Sequence, residues 1–524
     1  MTLKDALLVS DDEFDSASWS KHARVWAWLW AFLLLLGVSF CLLALGDKFN
    51  SEGLVLTRFM ARAQAPLTGQ FAYPKTAARD QITVVLYDQQ FLQDNGSAWP
   101  LTYQEHADAL LRLAANPAAR PKAILLDITF GQQRDDPTIT LLDQALCTLK
   151  NDYKVPVFLA ALPSPVDGRL RVRDGLGSSS AADGTACFTL VGVDYVPDQL
   201  DGVAWTYALT RYRTETGWAD GPPGDGRQPS YRSAAMTMAQ DAAGLSLGKE
   251  TAPMALVWGH NSAAQGQSPL SLKDCRVGQR RWSNLVPGFL RDPFGMAAPE
   301  PALCPYHRTL SMVQLGELAE EDLAPLLKDR YVMVGANVPG YNDFANSPVH
   351  GILPGIHMHA MALDNLLTYG DQYKLSVEWS LSPPRALLAP GLLAVGTVFL
   401  IHALWGWARR RANRLPLQWE EQQKYVRITA WLAWLRTPPP AGWQRFAQIA
   451  AGLLSWLVRI GSQAVAAFTM LAFLQYFFRI GMLPVAELIG MTLVAEGLGA
   501  MKRISEVILG KTETHLMTRT ERQP

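Results

Sequence analysis

Residues 82–88 read Ile-Thr-Val-Val-Leu-Tyr-Asp, a run of apolar and β-branched side chains that ends on a carboxylate. A continuous apolar run is typical of a strand buried on both faces, because a strand with one face in water alternates apolar and polar residues. Similar runs occur at residues 123–126, which Asp127 follows, and at residues 155–162. These strands predict a parallel sheet with helices on both of its faces.

Helical patterns separate the predicted strands. Apolar residues recur at helical spacing in residues 103–113 and 139–149. Later in the chain the alternation of strand and helix resumes, with a strand predicted at residues 331–335 and a helix at residues 359–367. The alternation of strand and helix predicts an α/β extracytoplasmic domain with a mainly parallel sheet and flanking helices.

Four long apolar runs flank this domain, and each can cross about 30 Å of hydrocarbon as a helix. They predict transmembrane helices at residues 25–46, 386–407, 460–478 and 482–501. A cleaved signal peptide is the competing interpretation of the first run. The long acidic tail before that run favours a retained anchor, so we expect an α-helical membrane bundle of four transmembrane helices.

Basic residues set the direction of the predicted spans. Lys21 and Arg24 precede the first span, a run of arginines begins at Arg409 after the second, and Lys502 and Arg503 follow the last. Because basic residues concentrate on the cytoplasmic side, we expect both termini in the cytoplasm. The remaining predicted segments are a cytoplasmic tail (1–24), an extracytoplasmic domain (47–385), a cytoplasmic loop with interfacial amphipathic helices (408–459) and a second cytoplasmic tail (502–524).

Four of the five cysteines fall in the predicted outer domain. An extracytoplasmic compartment is oxidising, and an even number of cysteines suits disulfide pairing. Proximity along the chain favours the pairs Cys147–Cys187 and Cys275–Cys304, and four buried or free thiols are the alternative.

The composition argues against several classes of function. Lysine plus arginine and aspartate plus glutamate each number 47, so there is no basic surplus of the kind that nucleic-acid binding needs. The sequence has no nucleophile elbow, P-loop, His-Glu-x-x-His motif or dinucleotide fingerprint. We therefore expect no nucleic-acid partner, no catalytic residues, no cofactor and no metal site, and we rank an extracytoplasmic enzyme last among the functions considered.

Candidate ligand-binding residues lie where predicted strands end. Asp88 and Asp127 each follow a strand, and ligands of open α/β sheets bind at that edge. Together with Asp343, His357 and His359, they could hold a cation or accept hydrogen bonds from a polar ligand. The competing interpretation, which we prefer, is that the two aspartates cap helices and that His359 is a buried structural histidine.

The last predicted span contains Glu487 and Glu496. A carboxylate in hydrocarbon needs a partner or a proton. By depth, Glu487 lies near the outer surface, where it can reach water or pair with Arg479, whereas Glu496 lies near the inner third, level with His402 of the second span. We expect a contact between Glu496 and His402, and a partner protein's membrane helix is the alternative neighbour.

Several stretches resemble, in order, the type-two CHASE family of sensory ectodomains associated with cyclases and histidine kinases. They are residues 82–88, 97–101 with His106, 125–130, 332–336, Asp343, 347–348 and the Pro-Gly-Ile-His-Met-His-Ala stretch at 354–360. The resemblance covers about residues 47–501 and implies one membrane anchor before the domain and three membrane helices after it. Such receptors usually end in a cyclase or kinase, whereas this sequence stops at Pro524. We therefore expect the output step to lie in another protein.

The resemblance and the predicted topology imply a multi-pass protein of the bacterial inner membrane with a large periplasmic domain. The predicted function is that of a sensor-like protein whose periplasmic domain binds a ligand or an envelope protein and acts through a separate partner. A structural or scaffolding subunit of a multi-protein cell-envelope complex is the alternative. Expected partners are membrane lipid and other membrane or envelope proteins, and a homo-oligomer stays open.

Overall fold

The structure, a computed structural model, describes residues 52–199, 201–214, 217–221, 230–247, 252–263, 275, 303–338, 340 and 343–375. The four predicted transmembrane spans, the cytoplasmic loop and both tails lie outside these residues, as do His402, Glu487 and Glu496. Within the described ranges, no helix combines the length and the apolar character that a membrane crossing requires.

Short strands and helices alternate along the described residues. The strands are β1 (Ile82–Asp88), β2 (Ala123–Leu126), β3 (Val157–Pro163), β4 (Leu170–Arg171), β5 (Thr189–Gly192), β6 (Thr206–Tyr207), β7 (Thr210–Thr214), β8 (Gly217–Asp220), β9 (Ser230–Arg232), β10 (Met254–Ala255), β11 (Arg308–Ser311), β12 (Tyr331–Asn337), β13 (Phe344–Ser347) and β14 (Gly351–Pro354). The helices are α1 (Glu52–Phe71), α2 (Gln89–Asp94), α3 (Tyr103–Ala115), α4 (Ile139–Asn151), α5 (Ala234–Thr237), α6 (Gln314–Glu317), α7 (Glu320–Leu327) and α8 (Ile356–Tyr369).

The main sheet is parallel, as the sequence predicts. β1 and β12 pair along their whole length, with Ile82 opposite Tyr331 and Asp88 opposite Asn337. Strand β11 pairs with β1 on the other side, and β2, β3 and β5 continue the sheet beyond β12, all in parallel. Among the described strands, only the short β4 joins this sheet in antiparallel orientation, at the end of β3. The predicted α/β domain with a mainly parallel sheet is confirmed.

Both faces of the sheet are buried, which explains the continuous apolar runs. In β1, Val85 and Tyr87 pack in one core with α3 and α4, while Val84 and Leu86 pack in the other core with α5 and α8. Burying one such side chain completely stabilises a fold by about 1.5–3 kcal/mol. A polar residue at any of these four positions would lose that contribution, which explains why the strand is apolar on both faces.

Helix α8 packs directly on the middle of the sheet. At Gly335 in β12, an added Cβ would lie 2.7 Å from Cβ of Ile356, the first residue of α8. Because real Cβ contacts are longer than this, only glycine allows so close an approach. The close packing fixes the N-terminal end of α8 above the C-terminal part of β12.

Two disulfides link segments of the domain. Cys147 of α4 is bonded to Cys187, which precedes β5, and Cys275 is bonded to Cys304. Both predicted pairings are confirmed. Disulfides form and persist in oxidising compartments, which agrees with a domain outside the cytoplasm.

Candidate functional site

A pocket of about 440 Å³ opens where β2 and β5 end. Asp127 follows β2 directly and Val193 follows β5 directly, so the pocket lies at the carboxyl edge of the sheet, where open α/β folds bind ligands. Its lining comes from the ends of these strands, from the β13–β14 hairpin and from the start of α8. The lining residues are Asp127, Thr129, Val193, Tyr195, Pro197, Asp343, Phe344, Gly355, Met358 and His359.

Asp127 is the most deeply buried carboxylate of the pocket, with 6% of its surface exposed. Its backbone N–H donates to the carbonyl of Val334, 2.8 Å away, which continues the pairing between β2 and β12. The Asp127 carboxylate accepts no hydrogen bond from the described residues, and His359 Nε2 is 3.8 Å from its Oδ2. That separation exceeds hydrogen-bond distance, so the carboxylate of this largely buried residue faces the pocket without a hydrogen bond from the described residues.

Asp343 brings a second carboxylate to the same pocket from the segment before β13. The backbone N–H of Gly355 donates to the Asp343 carbonyl at 2.9 Å. A Cβ on Gly355 would overlap Asp343 Oδ1, so the glycine leaves the space that the carboxylate occupies. The turn into α8 therefore positions Asp343 as well as supplying residues of its own.

Burial makes both carboxylates costly to ionise. Burial raises the pKa of Asp127 well above its usual range, and the nearby charge of Asp343 raises that pKa further. Burial also raises the pKa of Asp343. No described cation acts to lower either pKa. The pocket is thus an acidic site for which the described residues supply no positive charge.

His359 enters the pocket as a neutral side chain. Burial lowers its pKa to about 4, so the imidazole carries no charge at neutral pH. Its Nδ1 is hydrogen-bonded to Tyr207 Oη at 2.7 Å, which fixes the orientation of the ring. Burial also raises the pKa of Tyr207, so this neighbour stays neutral as well. His359 is both a buried, hydrogen-bonded histidine and part of the pocket wall.

The remaining two predicted residues do not line the pocket. Asp88 is the N-cap of α2, where Oδ1 accepts the backbone N–H of Phe91 at 2.9 Å. His357 is 2% exposed on α8, and burial lowers its pKa to about 3, so it is neutral. His357 and His359 are two residues apart on one helix, and such residues point in different directions. Nowhere in the described ranges do three or more His, Cys, Asp or Glu side chains stand together as a metal site.

Sequence reasoning missed most of the pocket wall. Thr129 lies two residues beyond Asp127 and could have been found by the same strand-end argument. Tyr195 and Pro197 come after β5, a short strand that the sequence did not reveal. Phe344 and Met358 join the pocket only because the β13–β14 hairpin and α8 fold back to this edge, which no local pattern indicates.

One known protein family matches this domain. A family model described as CHASE2 domain matches residues 27–401, which is more than half of the chain and includes every described residue. No curated protein and no solved structure matches this chain.

Proposed function

The chain belongs to the CHASE2 domain family, whose members are sensory extracellular domains, and from this premise we propose that it is a membrane-anchored sensor. In this proposal the outer domain lies in the periplasm and binds a ligand in the pocket of Asp127 and Asp343. The bound state then passes to a separate membrane or envelope protein, and the chain itself catalyses no reaction.

The observation that carries the proposal is the Asp127 carboxylate, which is buried, faces the pocket and accepts no hydrogen bond from the described residues. A carboxylate that a ligand shields from water needs a hydrogen bond or a cation from that ligand, because leaving a shielded acceptor without a partner costs about 1–3 kcal/mol. Such groups concentrate at functional sites, where a ligand supplies the missing interaction. A ligand that binds here is therefore expected to carry a hydrogen-bond donor or a positive charge at this position.

A buried hydrogen-bond network supports the step from binding to output. Asp364 of α8 is fully buried and accepts hydrogen bonds from Tyr73 Oη and, at 3.0 Å, from Thr76 Oγ1. Its other oxygen is 3.0 Å from His307 Nε2. Tyr73 and Thr76 come after α1, so the helix that contributes to the pocket is bonded to the segment next to α1. In the proposal, a ligand-induced shift of α8 moves this segment too.

Ligand binding can be tested by thermal unfolding of the full chain in detergent with a library of small metabolites. A ligand at one hundred times its dissociation constant stabilises the folded state by about 2.7 kcal/mol, which raises the melting temperature by several degrees. The variant Thr129→Phe fills the pocket from its exposed wall without altering either carboxylate. Gln104→Phe places the same ring at an exposed position of α3 that does not line the pocket.

A compound that stabilises the wild type and Gln104→Phe but not Thr129→Phe would support the proposal, provided that it is recovered chemically unchanged. A library without any such compound would contradict ligand binding, and conversion of the compound would identify an enzyme instead. Crosslinking in cells followed by mass spectrometry tests the output step. A single kinase or cyclase partner supports a receptor, and a set of envelope proteins in fixed ratio would make the chain a scaffold subunit.

A further inference from the structure

The chemistry of the pocket narrows the class of ligand, on the premise that the pocket is the sensory site proposed above. We propose that the ligand is a small organic cation, an ammonium or amine group on a short apolar body, whose charged group contacts the carboxylates of Asp127 and Asp343. The pocket is acidic and has apolar and aromatic walls, and the described residues contain no metal-binding set.

Asp194, which follows β5, differs from the two pocket acids in having a cationic partner. Asp194 lies between the pocket residues Val193 and Tyr195 and has a cationic partner, because Arg211 Nη1 forms an ion pair with its Oδ2. The same Asp194 carboxylate also accepts a hydrogen bond from Tyr231 Oη at 2.8 Å. Asp194, which does not line the pocket, is therefore paired with a cation within the fold.

The pocket acids have no such partner. No described lysine or arginine forms an ion pair with Asp127 or Asp343, and the adjacent imidazole of His359 is neutral. Buried carboxylates are ordinarily paired with a cation or protonated. A positively charged ligand would complete the pair, whereas an anion would be repelled by it.

The other walls favour an organic body over a metal ion. Tyr195 and Phe344 provide aromatic rings, and Val193 and Met358 provide aliphatic surface. Organic cations bind well against aromatic faces, at distances up to about 6 Å from the ring centre. A hard divalent cation would instead require six or more oxygen ligands, and the described residues contain no acidic or histidine cluster arranged to hold one.

The test uses probes that share one body and differ in charge: n-butylammonium, n-butanol and butyrate, with choline and its neutral analogue 3,3-dimethylbutanol as a bulkier pair. Binding to the full chain is measured by isothermal titration for the wild type and for Asp343→Asn, which removes one charge at nearly constant shape. Thr129→Phe blocks the pocket, and Asp108→Asn makes the same substitution at an exposed position of α3.

We expect a cation to bind the wild type and Asp108→Asn at least tenfold more tightly than its neutral analogue, and to lose at least tenfold in Asp343→Asn. Butyrate should not bind. Equal binding of cation and neutral analogue, or equal binding to wild type and Asp343→Asn, would overturn the cation inference. The cation inference would also be overturned if neither cation bound. It would be overturned as well if Mg²⁺ or Ca²⁺ displaced a bound cation from the wild type but not from Asp343→Asn.

The experiments distinguish a wrong ligand class from a wrong sensory role. If the metabolite library yields neutral or anionic compounds whose binding Thr129→Phe abolishes, the pocket is a sensory site and only the ligand class is wrong. If Thr129→Phe changes the binding of no compound, whatever its charge, the sensory role of the pocket is wrong, and the cation inference is wrong with it.

Discussion

Replacing Gly355 with alanine tests whether Asp343 is placed to bind the ligand. Gly355 has φ −55° and ψ −33°, a helical conformation that alanine adopts readily. The added Cβ would lie 2.9 Å from Cγ of Asp343 and would overlap its Oδ1. The substitution therefore acts on the side chain of Asp343, because the backbone at the start of α8 already suits alanine.

The structure gives the size of the effect. Carbon atoms in contact lie about 3.5–4.0 Å apart, so the Asp343 carboxylate must move by about 1 Å. At an effective dielectric constant of about 20, a cation about 4 Å from a carboxylate is attracted by about 4 kcal/mol, and at about 5 Å by about 3.3 kcal/mol. The difference of about 0.8 kcal/mol weakens binding about fourfold.

Stability should change little, because two effects oppose each other. Alanine in a helical conformation stabilises a fold by about 0.4–1 kcal/mol through the unfolded chain, and this offsets the strain of the displaced carboxylate. Titration of n-butylammonium into wild type and Gly355→Ala measures the affinity, and thermal unfolding measures the stability. Gly131→Ala is the control, since a Cβ there meets no atom within 4 Å. Equal affinity of wild type and Gly355→Ala would refute the role of Asp343.

Three further variants probe the site, a disulfide and the buried network. The folded-state pKa values of Asp127 and Asp343 are raised. The stability that the protonated acids contribute is therefore fully present below the unfolded pKa of about 3.9. It is lost as pH rises through the raised pKa values of the folded state. Relative to wild type, Asp127→Asn should therefore gain about 1 kcal/mol or more in unfolding free energy between pH of about 5 and pH of about 8, and a difference that is constant with pH would contradict this. Replacing both members of Cys147–Cys187 with serine opens a loop with a sequence separation of 40 and should cost about 4 kcal/mol; an unchanged melting temperature of the double variant would contradict the bond. Asp364→Asn replaces one of the carboxylate oxygens that Tyr73, Thr76, His307 and Thr368 share. It should lower the unfolding free energy by about 1–3 kcal/mol and keep the affinity for n-butylammonium. A loss of affinity at unchanged stability would contradict the assignment of Asp364 to coupling.

The strands of the sheet could be predicted because burial on both faces leaves a strong local signal. The strand predicted at residues 123–126 is β2 as observed, and the one predicted at residues 331–335 is β12, which continues to Asn337. The sequence pattern predicts helix α8 from residue 359, yet the helix begins at Ile356. The early residues of α8 are buried on all sides, so they do not show the amphipathic spacing on which the prediction relies.

The composition of the site depends on strand order, which local patterns do not contain. β12 lies far along the chain but pairs between β1 and β2. That placement carries the β13–β14 hairpin and the preceding Asp343 to the edge where Asp127 ends β2. The sequence could name both aspartates as candidates, but their meeting results from long-range pairing.

Asp88 and Asp127 look alike in the sequence and differ because the chain continues differently after each strand. α2 begins directly after Asp88, so free backbone N–H groups lie within reach and the carboxylate becomes an N-cap. After Asp127 no helix begins until Ile139, and the carboxylate has no such groups beside it. The preference for a capping role therefore describes Asp88, while Asp127 is left to face the pocket.

Helix α8 joins the pocket to the rest of the domain as a single stiff element. Met358 and His359 line the pocket, and Asp364, about 7.5 Å further along the axis, holds the segment after α1. A helix with intact backbone hydrogen bonds moves along its axis as a unit, so a displacement at the pocket reaches Asp364. A ligand can drive that displacement only by binding one position of α8 more tightly than another. Asp127 at the end of β2 and Asp343 beside Gly355 belong to different elements, so a cation that contacts both distinguishes such positions, whereas a ligand that contacts Asp127 alone does not.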